Sequence, residues 1–497
     1  VALSRAISDY YVAGRLVPGI FNGMAIALGL LPAIVMTGFG AALGQGWDGA
    51  TLLVLGGAGG LLLAGVLIAP YLRKFGGYTL PDFLAERFEG AGLRPLALLA
   101  VIGCSFPLLA ATLMGLGALT MRLFGVEAET GLALAAIMLL LCSVVAGMRS
   151  ASLAQIAQYG VLVAVSLVVL ALLFWQRGTL FPIFSVEEVR AAFAAPGLEG
   201  FAARDPANRF ALFFCLAAGA AALSHLLLRG LVTPSVGEAR TSFLWALPFA
   251  ALLCFLAAPY VLLAGTEASF TSGLLAIGGI AGLLALGSAL ALAVGNTLSF
   301  DLFFKTLHPA ASTGQRISVA RIAVVLATGL AAWAALELPD TIPALAGTAF
   351  SLAASAFLPA LLLGIWWKRA TAEGALAGML AGLAVCLYYM LAPRYIPFAF
   401  YESSSFLSNA TQEAASHYEA LQQSYYLADE AGRAAALAAW EEAARPLANW
   451  WGVAREFAAL FAVPVGFLTM IGVSLFTPEP SRKIQSFVED LRKTQPA

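Results

Sequence analysis

Charge is absent from twelve long apolar runs that together make up about half of the chain, and every acid and base lies between these runs or at their edges. The runs are 17–44, 51–70, 95–121, 131–148, 152–175, 210–228, 243–265, 270–300, 322–336, 341–367, 374–393 and 457–476. Eleven of them have 18 or more residues. A helix rising about 1.5 Å per residue needs roughly 20 to cross a bilayer's hydrocarbon core. Run 322–336 reaches that length once Arg321, in a helix starting near Ser318, snorkels to the interface. Backbone groups in lipid must be bonded internally, so the expectation is an all-α polytopic membrane protein with twelve spans.

Composition removes most competing classes. With 61% hydrophobic and 11% charged residues the chain is far from a soluble domain, which carries about 25% charged residues. The short alternating segments of a β-barrel do not occur. A net charge of −1 offers no basic surface for nucleic acid. Cys104, Cys142, Cys215, Cys254 and Cys386 all sit inside apolar runs and read as small buried hydrophobes. His225, His308 and His417 are too scattered for a metal site, and no nucleophile–base pair suggests an enzyme.

The loops fall into two sets. If 1–16 is cytoplasmic, that side also receives 71–94, 149–151, 229–242, 301–321, 368–373 and the tail 477–497, which together hold 18 of the 27 Lys and Arg residues. The short opposite loops 45–50, 266–269 and 337–340 hold none. The positive-inside rule therefore puts the N-terminal segment and the C-terminal tail in the cytoplasm. On this reading Arg229 marks a cytoplasmic helix end with His225 beside it, and no span carries an internal charge. The opposite side receives a long loop, 176–209, and an insertion, 394–456. Between Ser408 and Arg445 that insertion is rich in Ala, Glu and Gln, which predicts one or two surface helices stopped near Pro446.

Many glycines fall in the spans, including Gly56, Gly57, Gly59, Gly60 and Gly65 in the second run and Gly273, Gly278, Gly279, Gly282 and Gly287 in the eighth. Close helix packing is their first meaning. Gly29 and Pro32 together near the middle of run 17–44 predict a break or kink around residues 27–32. A broken helix at membrane depth lines a cavity in transporters.

Several stretches carry a family resemblance. They are DYYVAGRLVPGIFNGMAIA (9–27), APYLRKFGGYTLPDFLAERF (69–88), AGMRSASLAQIAQYGVL (146–162), TPSVGEARTS (233–242), FSLAASAFLPALLLGIWWKR (350–369), AGMLAGLAVCLYYM (377–390) and the tail 463–492. In type and order they resemble the bacterial sodium/solute symporter family, in its acetate-permease-related branch. The resemblance implies the leucine-transporter-type five-plus-five inverted repeat with additional helices. Its first repeat would be 17–175 and its second 210–367, followed by an additional span at 368–393 and a last span at 457–476. It also implies one further span before Val1, thirteen in all, and a bacterial inner-membrane location.

The resemblance places a coupling Na⁺ at Ala27, Leu30, Gly282, Ala285 and Leu286. Where relatives carry an acid and hydroxyls after MAIA, this chain has Leu28 to Val35; where they carry a hydroxyl pair, it has Ala285 and Leu286, with Ser288 in place of the acid that follows. Only backbone carbonyls remain there, so Na⁺ binding is expected to be weak, since a hard cation needs about six oxygens. No other cofactor is expected.

Candidate substrate residues are Asn22, Gly29, Ser288, Asn296, Ser224 and Gln155, with Ser288 and Asn296 two helical turns apart. A small carboxylate would meet hydroxyls there and a half-helix N-terminus near residues 29–32. The function implied is secondary transport of a short monocarboxylate such as acetate. The alternative is a symporter-like subunit that no longer transports and acts as a sensor, a scaffold or the partner of an active paralogue. Expected partners are the lipid bilayer, a small organic anion and a small membrane subunit or paralogous transporter.

Overall fold

The computed structural model describes residues 7–35, 47–90, 92–144, 147–177, 206–257, 270–337, 341–397, 410–445 and 447–493. Among them there is helix and no strand. Short helix α1 (Ile7–Val12) leads through a tight turn into α2 (Gly19–Ile34), and the two are bent by 105°. Then follow α3 (Thr51–Phe75), the short α4 (Leu80–Phe88), α5 (Leu93–Phe124), α6 (Ala128–Ser143) and α7 (Gly147–Arg177). The second half holds α8 (Pro206–Ala222), α9 (Ser224–Leu231), α10 (Val236–Phe255), α11 (Phe270–Thr297), α12 (Thr313–Glu337) and α13 (Ile342–Trp366). After α14 (Ala372–Tyr395) come α15 (Gln412–Leu427) and α16 (Arg433–Ala444), then α17 (Ala459–Phe476) and α18 (Arg482–Arg492).

Nine of these helical stretches are long and apolar enough to cross a membrane among the described residues, or ten if the bent α1–α2 pair is one span. Runs 131–148 and 243–265 appear as the shorter α6 and as α10, and most of loop 176–209 lies outside the described residues. Helix starts follow local chemistry. Thr79, Ser235, Thr341, Thr371, Thr411 and Ser481 each accept a hydrogen bond from the backbone N–H three residues on, which satisfies one of the helix's orphan donors.

Glycine sets the spacing between helices. A Cβ on Gly219 would lie 2.7 Å from the Phe350 carbonyl, so α8 and α13 touch backbone to backbone. Gly60 does the same for α3 and α8, where a Cβ would lie 2.7 Å from the Ala217 carbonyl. Two stretches widen into π-helix, Ala64–Ile68 within α3 and Leu298–Leu307 at the end of α11.

Residues 27–32 are not broken. α2 runs through them to Ile34 with Pro32 inside it, which corrects the expected break. Pro32 takes away the N–H that the Leu28 carbonyl would accept, but one lost bond does not open a helix whose other face is packed. Pro107, Pro248, Pro359, Pro393 and Pro464 likewise sit inside continuous helices.

Candidate functional site

The break occurs between α8 and α9, within the span Ala207–Leu231. Leu223 leaves the helix (φ −60°, ψ 120°), its N–H donates to the Gly219 carbonyl, and its own carbonyl accepts from Leu226 and Leu227. The half-helix N-terminus expected near 29–32 is thus found at Ser224, the first residue of α9, which is buried beside Cys104. Gly29 lets α2 approach this break. A Cβ there would meet Leu226 at 3.0 Å, and in its absence His225 Nε2 comes within 3.0 Å of the Gly29 carbonyl. A carbonyl only accepts, so the imidazole proton sits on Nε2 and Nδ1 is left buried without a partner among the described residues.

One turn further on, Arg229 is 1% exposed. Its Nη1 donates to Ser152 Oγ at 2.9 Å and its Nη2 to Gln155 Oε1, both on α7. Gln155 Nε2 donates in turn to the Ala285 carbonyl at 2.8 Å and to Ser288 Oγ at 3.4 Å, while Ser288 Oγ donates to the same carbonyl at 3.0 Å. Asn22 Nδ2 donates to the Arg229 carbonyl at 2.8 Å and to Ser242 Oγ at 3.1 Å. Side chains and carbonyls of α2, α7, α9, α10 and α11 thereby form one hydrogen-bonded network around a guanidinium.

No described carboxylate lies within ion-pair reach of that guanidinium. Arg87 shows how a buried Arg is otherwise balanced. Its Nε donates to the Gly364 carbonyl at 2.6 Å and its Nη2 to Trp367 and Ala370 carbonyls at 3.2 and 3.4 Å, so it closes the negative end of α13. Burial lowers the Arg87 pKa to about 10, still a cation at neutral pH. Arg229 faces two neutral side chains instead.

Of the six candidate substrate residues, the network gathers Asn22, Gln155 and Ser288, and Gly29 and Ser224 lie at the neighbouring break. Asn296 stays apart. It is fully buried, and neither of its amide atoms has a partner among the described residues, so it is not part of that hydrogen-bonded network. Thr37, another polar residue of the first run, lies outside the described residues.

At the expected ion position the carbonyls of Ala27, Leu30 and Ala285 already accept hydrogen bonds. Ala27 and Leu30 lie inside α2, where regular helix engages their carbonyls, and the Ala285 carbonyl takes the Gln155 and Ser288 bonds. Ala27 and Ala285 pack in one apolar cluster with Leu28, Leu31, Tyr159 and Leu253. Leu30 and Leu286 belong to the main core, and a Cβ on Gly282 would meet Pro32 and Leu162 at 3.7 Å. None of the five offers a side-chain oxygen, so a cation here would depend on backbone carbonyls alone.

Three buried ionisable residues that the sequence did not place inside the protein are central. Arg229 and His225, expected at a cytoplasmic helix end, are both 1% exposed, because α9 continues past the first charge to Leu231 and the Arg229 side chain reaches back to α7. Asp301, one residue beyond an uncharged run, is fully buried. Its Oδ1 accepts from Arg94 Nη1 at 2.6 Å, and Arg94 also pairs with Asp82 at 3.1 Å.

A sequence model described as "Sodium:solute symporter family" matches residues 10–270 and 257–382. An uncharacterized symporter of Cupriavidus necator is 29% identical over 98% of this chain and 90% of its own length. Another uncharacterized symporter, YwcA of Bacillus subtilis, is 28% identical over 77% of this chain and 80% of its own. Among solved structures, a Na⁺-coupled sialic acid symporter superposes with a TM-score of 0.53 at 20% identity, covering 79% of this chain and 87% of that one, which shows the shared leucine-transporter-type fold. The chain is thus a membrane transporter and not an enzyme. With the family pattern matched across most of its length, it belongs to the sodium:solute symporter family.

Proposed function

We propose that this secondary transporter carries a small organic anion, a short monocarboxylate such as acetate, by alternating access, with Na⁺ coupling weak or lost. The observation that carries the reading is Arg229, a buried guanidinium without a described acid partner at the centre of the helical network. A buried charge is costly unless paired, and a planar fork of N–H donors suits a carboxylate. Ionisable residues within membrane spans are rare and mark substrate or ion pathways. The distribution of basic loops supports a cytoplasmic N-terminal segment and C-terminal tail.

Uptake of labelled acetate into proteoliposomes, with and without a Na⁺ gradient, tests the reading. Saturable uptake that barely responds to Na⁺ is expected. Uptake that never exceeds empty liposomes for any short carboxylate would sink the transport reading and leave the non-transporting alternative.

A further inference from the structure

Gln155 joins a buried cation to a backbone carbonyl of another helix. Its oxygen is the acceptor for Arg229, and its nitrogen ties α7 to the Ala285 carbonyl and Ser288 on α11. One side chain therefore bridges α9, α7 and α11 while itself only 1% exposed. An amide oxygen and a carboxylate oxygen present the same planar acceptor geometry, but the carboxylate adds a full charge and makes a bond roughly twice as strong. At the same guanidinium a carboxylate makes the stronger bond.

The surroundings say what else the ligand carries. The Ala285 carbonyl that holds Gln155 belongs to a residue of the apolar cluster of Ala27, Leu28, Leu31, Tyr159 and Leu253, and Tyr159 is one turn along α7 from Gln155. A short alkyl tail on a ligand held by Arg229 and Ser152 would find apolar neighbours in that cluster. Larger polar tails would bury unpaired groups there.

We propose that Gln155 Oε1 is a placeholder for one carboxylate oxygen of the cargo: a monocarboxylate of two to four carbons takes its place on Arg229 and, in doing so, releases the bridge between α9 and α11. This inference rests on the monocarboxylate reading above. Binding then favours whichever conformation lacks the bridge, which is the differential affinity that a ligand-driven change requires.

The test uses the purified full chain in detergent, read by thermal stabilisation against titrated acetate, propionate and acetamide, alongside uptake in proteoliposomes. The wild type is expected to respond to the two acids and not to the amide. Gln155→Glu supplies a built-in carboxylate. It should melt higher than the wild type without ligand and lose the response to acetate. Gln155→Ala removes the competitor, and its apparent affinity for acetate should tighten about tenfold, the worth of one hydrogen bond to a charged group. A Gln155→Glu variant that responds to acetate like the wild type overturns the placeholder role. So does a Gln155→Ala affinity equal to or weaker than the wild type, which decides the matter even if the Glu variant fails to fold. If the wild type itself neither takes up nor responds to any of these acids, the monocarboxylate reading fails first. Uptake that persists while the Gln155 variants behave as wild type removes the placeholder alone.

Discussion

Arg229 and Arg87 are both buried cations, and the contrast between their partners separates function from architecture. Replacing Arg87 by Ala removes a donor from the Gly364, Trp367 and Ala370 carbonyls at and just beyond the end of α13 and should destabilise the protein by about 2–4 kcal/mol, with the substrate affinity of the surviving folded fraction unchanged. Arg229→Lys keeps the charge but loses the planar fork. It should raise the half-saturation concentration for acetate about tenfold in proteoliposome uptake while the protein remains folded. An unchanged half-saturation concentration would remove Arg229 from the site. The roles of Arg229 and Asp301 are not legible in the sequence, because the first charge after an apolar run reads as the start of a loop. Arg229 directly follows run 210–228 and Asp301 directly follows run 270–300, yet both helices continue past them into the protein. Gln155 and Ser288 could be singled out from sequence because polar residues inside uncharged spans are few, whereas the partner that joins them could not.

Helix identity was legible where the signal is an uninterrupted apolar run, and the break was not, because proline was the wrong guide. Pro32 sits in a continuous helix, while the interruption falls at Ala222–Leu223–Ser224, a stretch with neither proline nor glycine. What opens it is tertiary. Gly219 is committed to the Phe350 backbone, and α9 turns toward Gly29, so α8 and α9 answer to different neighbours. Packing on this scale predicts a contrast between two glycines. Gly219→Ala pushes a Cβ into backbone atoms of α13 and should cost about 1–3 kcal/mol or more. Gly103→Ala meets nothing within 4 Å and should be neutral, or stabilising by up to about 1 kcal/mol through helix propensity. Melting temperatures in detergent distinguish them, and equal shifts would refute the close approach. The Asp82–Arg94–Asp301 cluster ties α4, α5 and α11. Arg94→Ala leaves Asp301 buried without its partner, for a loss of about 3–5 kcal/mol in the same assay.

The family resemblance, spread from one end of the chain to the other, made the fold of the molecule as a whole legible, but how its last segment closes the structure was not. Helix α18 lays Ile484, Val488 and Leu491 against the protein, with Phe487 edge-on to Phe75 on α3 at 6.1 Å. Lys483 pairs with Glu89 and Lys368 with Glu489, all at the surface. Exposed pairs contribute little, so Val488→Asp should free α18 to proteolysis while Lys483→Ala leaves it protected. The pH profile has a definite sign. Lys493 lowers the Asp490 pKa, so that contact is kept above the ordinary carboxylate range and lost as pH falls through the lowered value; Glu89 raises that of Lys483, whose contact is kept below the ordinary lysine range and lost at higher pH. Protection of α18 should therefore be flat between about pH 5 and about pH 9. The uncompensated guanidinium has a consequence for energetics. A site that pairs a monovalent anion with a fixed cation is electrically neutral when its access switches loaded and positive when it switches empty. Voltage would then act on the return of the vacant site, at about 2.3 kcal/mol per charge per 100 mV, and leave one-for-one anion exchange untouched.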